Sequence, residues 1–201
     1  LAVLNFKNFN LLTKNEVQKL AENFYNDIFF MDQNACTSPH IVIWVGGHNK
    51  KSDKELFWKN ISEIAKKKYQ LDHVISITKM SDLFSDINKL KNVKNTKNYN
   101  NFLIRVEIDK IDNDIEKYNK RFGYIYEYNS KNLDIDKLFN NKKIQTLTYF
   151  GFKKEELKKF FQENSFNGVD RIIPVGKAHD ISFIWDGYNI FESLTRNIEI
   201  K

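Results

Sequence analysis

The sequence is poor in the residues that staple or break a chain: one cysteine, two prolines and seven glycines among 201 residues. One cysteine excludes a disulfide framework and fits a reducing compartment, so the expected location is the cytoplasm. Scarce Pro and Gly, beside 17 Phe and 9 Tyr, argue against a disordered chain and for a packed body. No apolar run approaches the roughly 18 residues of a membrane span. The start carries no charged segment leading into a short apolar stretch, so no leader peptide is read. The histidines share no ligand spacing, and no metal site is expected. A basic stripe is missing as well. The formal charge is +6, but the lysines are scattered among 26 acidic residues. The densest cluster, Lys66-Lys67-Lys68, falls where a helix should end and suits its dipole. Nucleic acid is therefore not an expected partner, although mild basicity suits polyanions such as coenzyme A or a dinucleotide.

What is present is strands alternating with helices. Residues 1–6 read as a strand. Thr13-Lys14-Asn15-Glu16 is a capping box opening a helix over 13–30, whose apolar face is Val17, Leu20, Ala21, Phe24 and Ile28. Ile41–Val45 is continuously apolar, as a strand covered on both faces should be, and Gly46-Gly47 reads as a turn. Ser52-Asp53-Lys54-Glu55 is a second capping box, before a helix carrying Leu56, Trp58, Ile61, Ile64 and Ala65. The stretch 74–90 carries another helix or two. Residues 92–101, rich in Asn and Lys, read as an exposed loop. Strands are expected at 102–108, 123–128, 144–150 and 168–175, the last with an edge or terminal proline. Helices are expected at 133–139, 155–161 and 185–196, with a final strand at 198–200. The pattern implies one α/β domain with a mostly parallel sheet covered by helices.

Cys36 sits in a polar turn between the first helix and the Ile41–Val45 strand, among Asp32, Gln33, Asn34, Thr37, Ser38 and His40. Ser38-Pro39 stops the helix from continuing, because the ring fixes φ and biases its predecessor toward extended geometry. A lone cysteine is most often a small buried hydrophobe. Here the polar neighbours would be out of place in a core turn unless they are used, and amides beside a thiol can serve an oxyanion as well as the turn backbone. On the residues alone, nucleophile and buried hydrophobe both stand.

The run Phe29-Phe30-Met31-Asp32-Gln33-Asn34-Ala35-Cys36, followed by Ser38-Pro39 and a strand ending Trp44-Val45-Gly46, resembles the active-site segment of the aldehyde dehydrogenase superfamily. It is most similar to the LuxC-type acyl-CoA reductases. The likeness extends to Arg121-Phe122-Gly123, to 145–151, to 168–177 and to Trp185-Asp186-Gly187-Tyr188. The resemblance implies the catalytic domain of the aldehyde dehydrogenase fold, over 1–201, as the C-terminal part of a longer chain whose N-terminal cofactor domain is absent. It implies Cys36 as the nucleophile that takes an acyl group from a long-chain fatty acyl thioester, and NADPH as the reductant that releases aldehyde. The Cys36 backbone N–H would then be one oxyanion donor; the superfamily's second donor is an asparagine of the absent domain. Asn34 stands where the dehydrogenases carry glutamine and is expected to orient the turn. Phe122 falls at the phenylalanine beside the nicotinamide, while Lys120 replaces the glutamate that holds its ribose. The implied partners are acyl-CoA or an acyl-protein, an acyl-protein synthetase subunit and further copies of the chain. A non-catalytic acyl-accepting or scaffold domain is the alternative of a different class.

Overall fold

A computed structural model describes residues 1–46, 51–133, 136–185, 187–196 and 198–200. Its centre is a seven-stranded sheet in the order β3-β4-β5-β2-β1-β6-β7. The strands are β1 (Ala2–Asn5), β2 (Ile41–Val45), β3 (Val93–Tyr99), β4 (Leu103–Ile108), β5 (Tyr124–Ser130), β6 (Thr146–Phe150) and β7 (Arg171–Pro174). All neighbours pair in parallel except β3 and β4. The proline ends an edge strand, where its missing N–H costs no ladder bond.

Side chains alternate across this sheet, so each central strand feeds two cores. Val42 and Trp44 join Leu4, Phe24, Phe57 and Ile61 on one face. Ile41, Ile43 and Val45 join Val3, Ile104, Tyr126 and Leu147 on the other. The first face is covered by α2 (Lys14–Phe29) and α3 (Lys51–Lys68), which follow the short α1 (Phe6–Phe9). On the opposite face pack α4 (His73–Lys89) through Leu83, α5 (Asp136–Phe139) through Leu138 and Phe139, and α6 (Lys154–Asn164) through Phe160 and Phe161. The capping box of α2 is formed in both directions: Thr13 N–H donates to Glu16 Oε2 at 2.8 Å and Glu16 N–H to Thr13 Oγ1 at 3.4 Å. The segment 74–90 is a single helix, capped by Asp72. Of the capping box proposed at 52–55, the side chains of Ser52 and Asp53 lie outside what the structure describes, as does the turn residue Gly47.

Three expectations are corrected. Residues 92–101 are not a loop: Val93–Tyr99 is an antiparallel edge strand of which only Tyr99 is buried. An edge strand facing water needs no apolar alternation, and lysines along it discourage pairing with another chain. The hairpin turns at Asn100 and Asn101, with φ of 52° and 61°, a conformation asparagine tolerates better than most residues. The stretch 185–196 is not one helix. β8 (Ile184–Trp185) and β9 (Tyr188–Asn189) form a small hairpin before α7 (Ile190–Leu194), with Gly187 at φ +78° in the turn. An aspartate-glycine pair between short apolar runs is a hairpin signal. Finally, 198–200 is not a strand.

Candidate active site

The site lies at the amino ends of β2 and β6. A cavity of about 260 Å³ is lined there by Cys36, Ser38, His40, Tyr118, Asn119 and Thr146, with Ile41, Ile115 and Ile144 in its wall. Cys36 is exposed.

The turn that carries it has a strained backbone and is held by one amide. Past the end of α2, Asp32 and Gln33 take φ of 53° and 60°, which bends the chain back toward the sheet. Two consecutive side-chain-bearing residues in that region persist only where their surroundings hold them. Here Gln33 is 1% exposed and all its polar capacity is used. Its Nε2 donates to Pro39 O at 2.9 Å and Tyr124 O at 3.0 Å. Its Oε1 accepts from Gly123 N–H at 2.9 Å and Tyr124 N–H at 3.1 Å. Phe122, itself at φ 61°, donates its N–H to Asp32 O at 3.2 Å. The structure thus brings Cys36 and Phe122, 86 positions apart in sequence, onto adjoining strained turns. Asn34 sits on the exposed side, its Nδ2 reaching only Asp32 O at 3.4 Å. The amide that organises the turn is the one next to it. Its only trace in the sequence was the run of adjacent amides, with nothing to choose between them.

Two histidines flank the cysteine. His40 Nδ1 lies 2.7 Å from Lys120 O; a carbonyl only accepts, so Nδ1 carries the proton and Nε2 keeps a lone pair. Burial, more than any neighbouring charge, lowers its pKa to about 4. It is neutral near pH 7 and a weak base. His179 reaches Thr37 Oγ1 with Nδ1 at 3.3 Å and Asp27 O with Nε2 at 3.3 Å. Its neutral tautomer therefore has the proton on Nε2 and accepts from Thr37; burial lowers its pKa as well. The loop bearing His179 is clamped from both sides. The buried Asp27 carboxylate accepts from Gly176 N–H at 2.7 Å and Ala178 N–H at 2.9 Å. Arg171 Nη1 donates to Ala178 O at 2.8 Å, and its Nη2 donates to Asp180 O. Burial raises Asp27 to about 6, against these two N–H bonds.

Lys120, the residue in the ribose-binding place of the resemblance, points elsewhere. Its Nζ donates to Asp82 Oδ1 at 2.8 Å and lies 3.6 Å from Asp86 Oδ1, both on α4. Phe122, the other residue that the resemblance places near a cofactor, is half-buried. Among the described residues no group of three or more His, Cys, Asp or Glu could hold a metal, and no helix is long and apolar enough to cross a membrane.

The mostly parallel sheet covered by helices on both faces is a fold that solved aldehyde dehydrogenase structures share. A methylmalonate-semialdehyde dehydrogenase from Sinorhizobium meliloti 1021, complexed with NAD, matches 87% of this chain and 38% of its own at TM-score 0.50 and 10% identity. The gamma-glutamyl-gamma-aminobutyraldehyde dehydrogenase of Burkholderia cenocepacia J2315 matches 86% of this chain and 36% of its own at TM-score 0.51 and 8% identity. At these identities the likeness shows the fold, and the chain spans less than two fifths of either relative. The comparison with curated proteins returns no match. The sequence profile of the acyl-CoA reductase (LuxC) family matches residues 7–197, nearly the whole chain. The chain belongs to that family.

Proposed function

We propose that this chain is the cysteine-bearing catalytic part of a reductase that converts a long-chain fatty acyl thioester, acyl-CoA or acyl-protein, to the aldehyde with NADPH. The carrying observation is Cys36, exposed on a turn locked by Gln33 and opening into a cavity with Ser38 and His40, in a chain matched to the acyl-CoA reductase family. The Cys36 thiolate attacks the carbonyl carbon; the new carbon–sulfur bond forms, the old one breaks, and the leaving thiolate takes up a proton. Reduced nicotinamide then supplies the hydride that releases the acyl group as aldehyde. His40, neutral and bonded to Lys120 O, is too weakly basic to store the thiol proton and serves to hold the turn beside β5. Phe122 would lie beside the nicotinamide that supplies the hydride, whereas Lys120, engaged by α4, is not free to take the ribose-binding role. The cavity, about 260 Å³, is smaller than the roughly 300–1,000 Å³ of ordinary ligand pockets. It suits the reacting carbonyl end rather than a whole acyl tail. A cytoplasmic homo-oligomer drawing acyl groups from a synthetase subunit completes the reading.

The test is intact mass of the full-length protein after incubation with a long-chain acyl-CoA, beside a Cys36→Ala variant. The expected result is a hydroxylamine-labile adduct on the wild type alone, discharged to aldehyde by NADPH. No adduct from acyl-CoA or from an acyl-loaded synthetase would sink the proposal.

A further inference from the structure

Four buried side-chain atoms lack a hydrogen-bond partner among the described residues: Asn10 Oδ1, Ser38 Oγ, Arg105 Nε and Thr148 Oγ1. Arg105 Nε faces the Glu127 carboxylate at 3.3 Å as an ion pair. Of the four residues, Ser38 is the one that lines the cavity holding Cys36.

Ser38 is 2% exposed. Its backbone N–H donates to Ala35 O at 2.9 Å, closing the turn and placing the residue on the cavity wall two positions past the nucleophile. The neighbouring hydroxyl, that of Thr37, is taken by His179. The Ser38 hydroxyl has no such partner. Buried polar groups are nearly always paired, and an unpaired one is worse for the fold than a methyl in its place. Alanine would satisfy the turn equally well. A donor kept at a cavity wall without an acceptor is suited to an acceptor that arrives with the ligand.

We propose that Ser38 Oγ–H is a substrate contact, donating to the carbonyl oxygen of the acyl group transferred to Cys36. This rests on the thioester reading above. As Sγ attacks, the carbonyl π pair moves onto oxygen and negative charge builds there. The serine hydroxyl donates a hydrogen bond to that oxygen without giving up its proton. Collapse restores the C=O and expels the leaving thiolate, which is protonated by solvent. The isoleucines 41, 115 and 144 in the same wall thin the water around that oxygen, which strengthens such a bond. The carbonyl oxygen is the fitting acceptor rather than the thiolate, because Cys36 is exposed and its sulfur is open to solvent. Ser38 thereby supplies from this chain a donor that works beside the Cys36 backbone N–H.

The experiment compares wild-type and Ser38→Ala full-length protein in three measurements. These are the rate of adduct formation from a long-chain acyl-CoA, the pH profile of iodoacetamide alkylation, and the melting temperature. Alkylation needs the thiolate but no carbonyl contact. The expected result is acylation slower by about 100-fold, the scale of losing one oxyanion donor, with an unmoved alkylation profile and an equal or higher melting temperature. Acylation at the wild-type rate overturns the proposal. So does a displaced alkylation profile, which would put the hydroxyl on the sulfur, or a lowered melting temperature, which would make it structural. A wild type that forms no adduct overturns the thioester reading itself, and this inference with it.

Discussion

Gln33 and Tyr124 exchange two hydrogen bonds: the glutamine Nε2 donates to Tyr124 O at 3.0 Å, and Tyr124 N–H donates to Gln33 Oε1 at 3.1 Å. A side-chain amide here pairs with the backbone of β5 much as a neighbouring strand would. The same amide binds Pro39 O just before β2. One residue therefore ties the cysteine turn to the starts of two adjacent parallel strands, which converts sheet rigidity into a fixed position for Cys36.

Replacing Gln33 with Ala leaves Pro39 O, Tyr124 O and the N–H groups of Gly123 and Tyr124 without these partners. At about 1–3 kcal/mol for each buried group left unsatisfied, and allowing water to enter, the loss is at least ~3 kcal/mol. Asn34→Ala removes one long bond on the exposed side and is expected within ~0.5 kcal/mol of wild type. Urea unfolding of the two variants checks the contrast. Equal midpoints would show that the turn is held by something other than Gln33.

Gly123 joins the two strained turns at φ +76°, and a Cβ there would lie 2.5 Å from Phe29 Cζ and 2.7 Å from Phe102 O. The phenylalanine ring can tilt, but the backbone oxygen belongs to the β3–β4 hairpin and cannot. Gly123→Ala thus combines left-handed strain with overpacking, at a cost of about 3 kcal/mol or more. Its melting temperature should fall well below that of a Gly46→Ala control, where a Cβ meets nothing within 4 Å among the described residues.

Glu127 lies buried on the α3 side of β5. Its Oε1 accepts from Trp44 Nε1 at 2.6 Å and Trp58 Nε1 at 3.1 Å, and Oε2 pairs with Arg105 Nε at 3.3 Å. Glu127→Leu strands two indole N–H groups and leaves a mostly buried guanidinium with the longer Glu55 pair, Nη1 to Oε2 at 3.7 Å, at a cost of about 3–5 kcal/mol. Adding Arg105→Leu removes the cation that has lost its closer partner, so the double variant should be more stable than Glu127→Leu alone. A double-mutant cycle in urea measures the coupling; strict additivity would deny it.

The sequence was legible where burial imposes a period. α2 shows its helical stripe and cap, and β2 shows an unbroken apolar run because both its faces are covered. It was misleading where an element has little to bury. β3 keeps only Tyr99 from solvent, so its residues carry no alternation and look like a loop. The β8–β9 hairpin was hidden because apolar residues on both sides of Gly187 mimic helical spacing. At the candidate site, the cysteine stood out in the sequence by its polar neighbours. The Asp27 clamp on Gly176 and Ala178 joins groups about 150 positions apart, and no local pattern encodes such a contact. Gln33 was visible but indistinct from Asn34, because what separates them is which side of a left-handed turn faces β5.

Lys79 supplies a stability that depends on pH. It is 1% exposed, and its Nζ donates to Asn101 O at 2.6 Å and Phe102 O at 2.9 Å in the β3–β4 turn. Burial lowers its pKa to about 7, from an ordinary 10.5. The folded chain therefore holds fewer protons than the unfolded chain between about pH 7 and 10.5, and its stability relative to unfolded protein rises with pH across that window. Lys79→Met lacks this titration. Both proteins share every other ionisable group, so the difference in unfolding free energy between them isolates the lysine. That difference should move in favour of the wild type by up to ~1.4 kcal/mol per pH unit between pH 8 and 10. At pH 6, where the buried amine is charged, the wild type should hold its smallest advantage. A difference that stays flat from pH 6 to 10 would mean that the ammonium keeps its charge on the two carbonyls and that its burial costs the fold little.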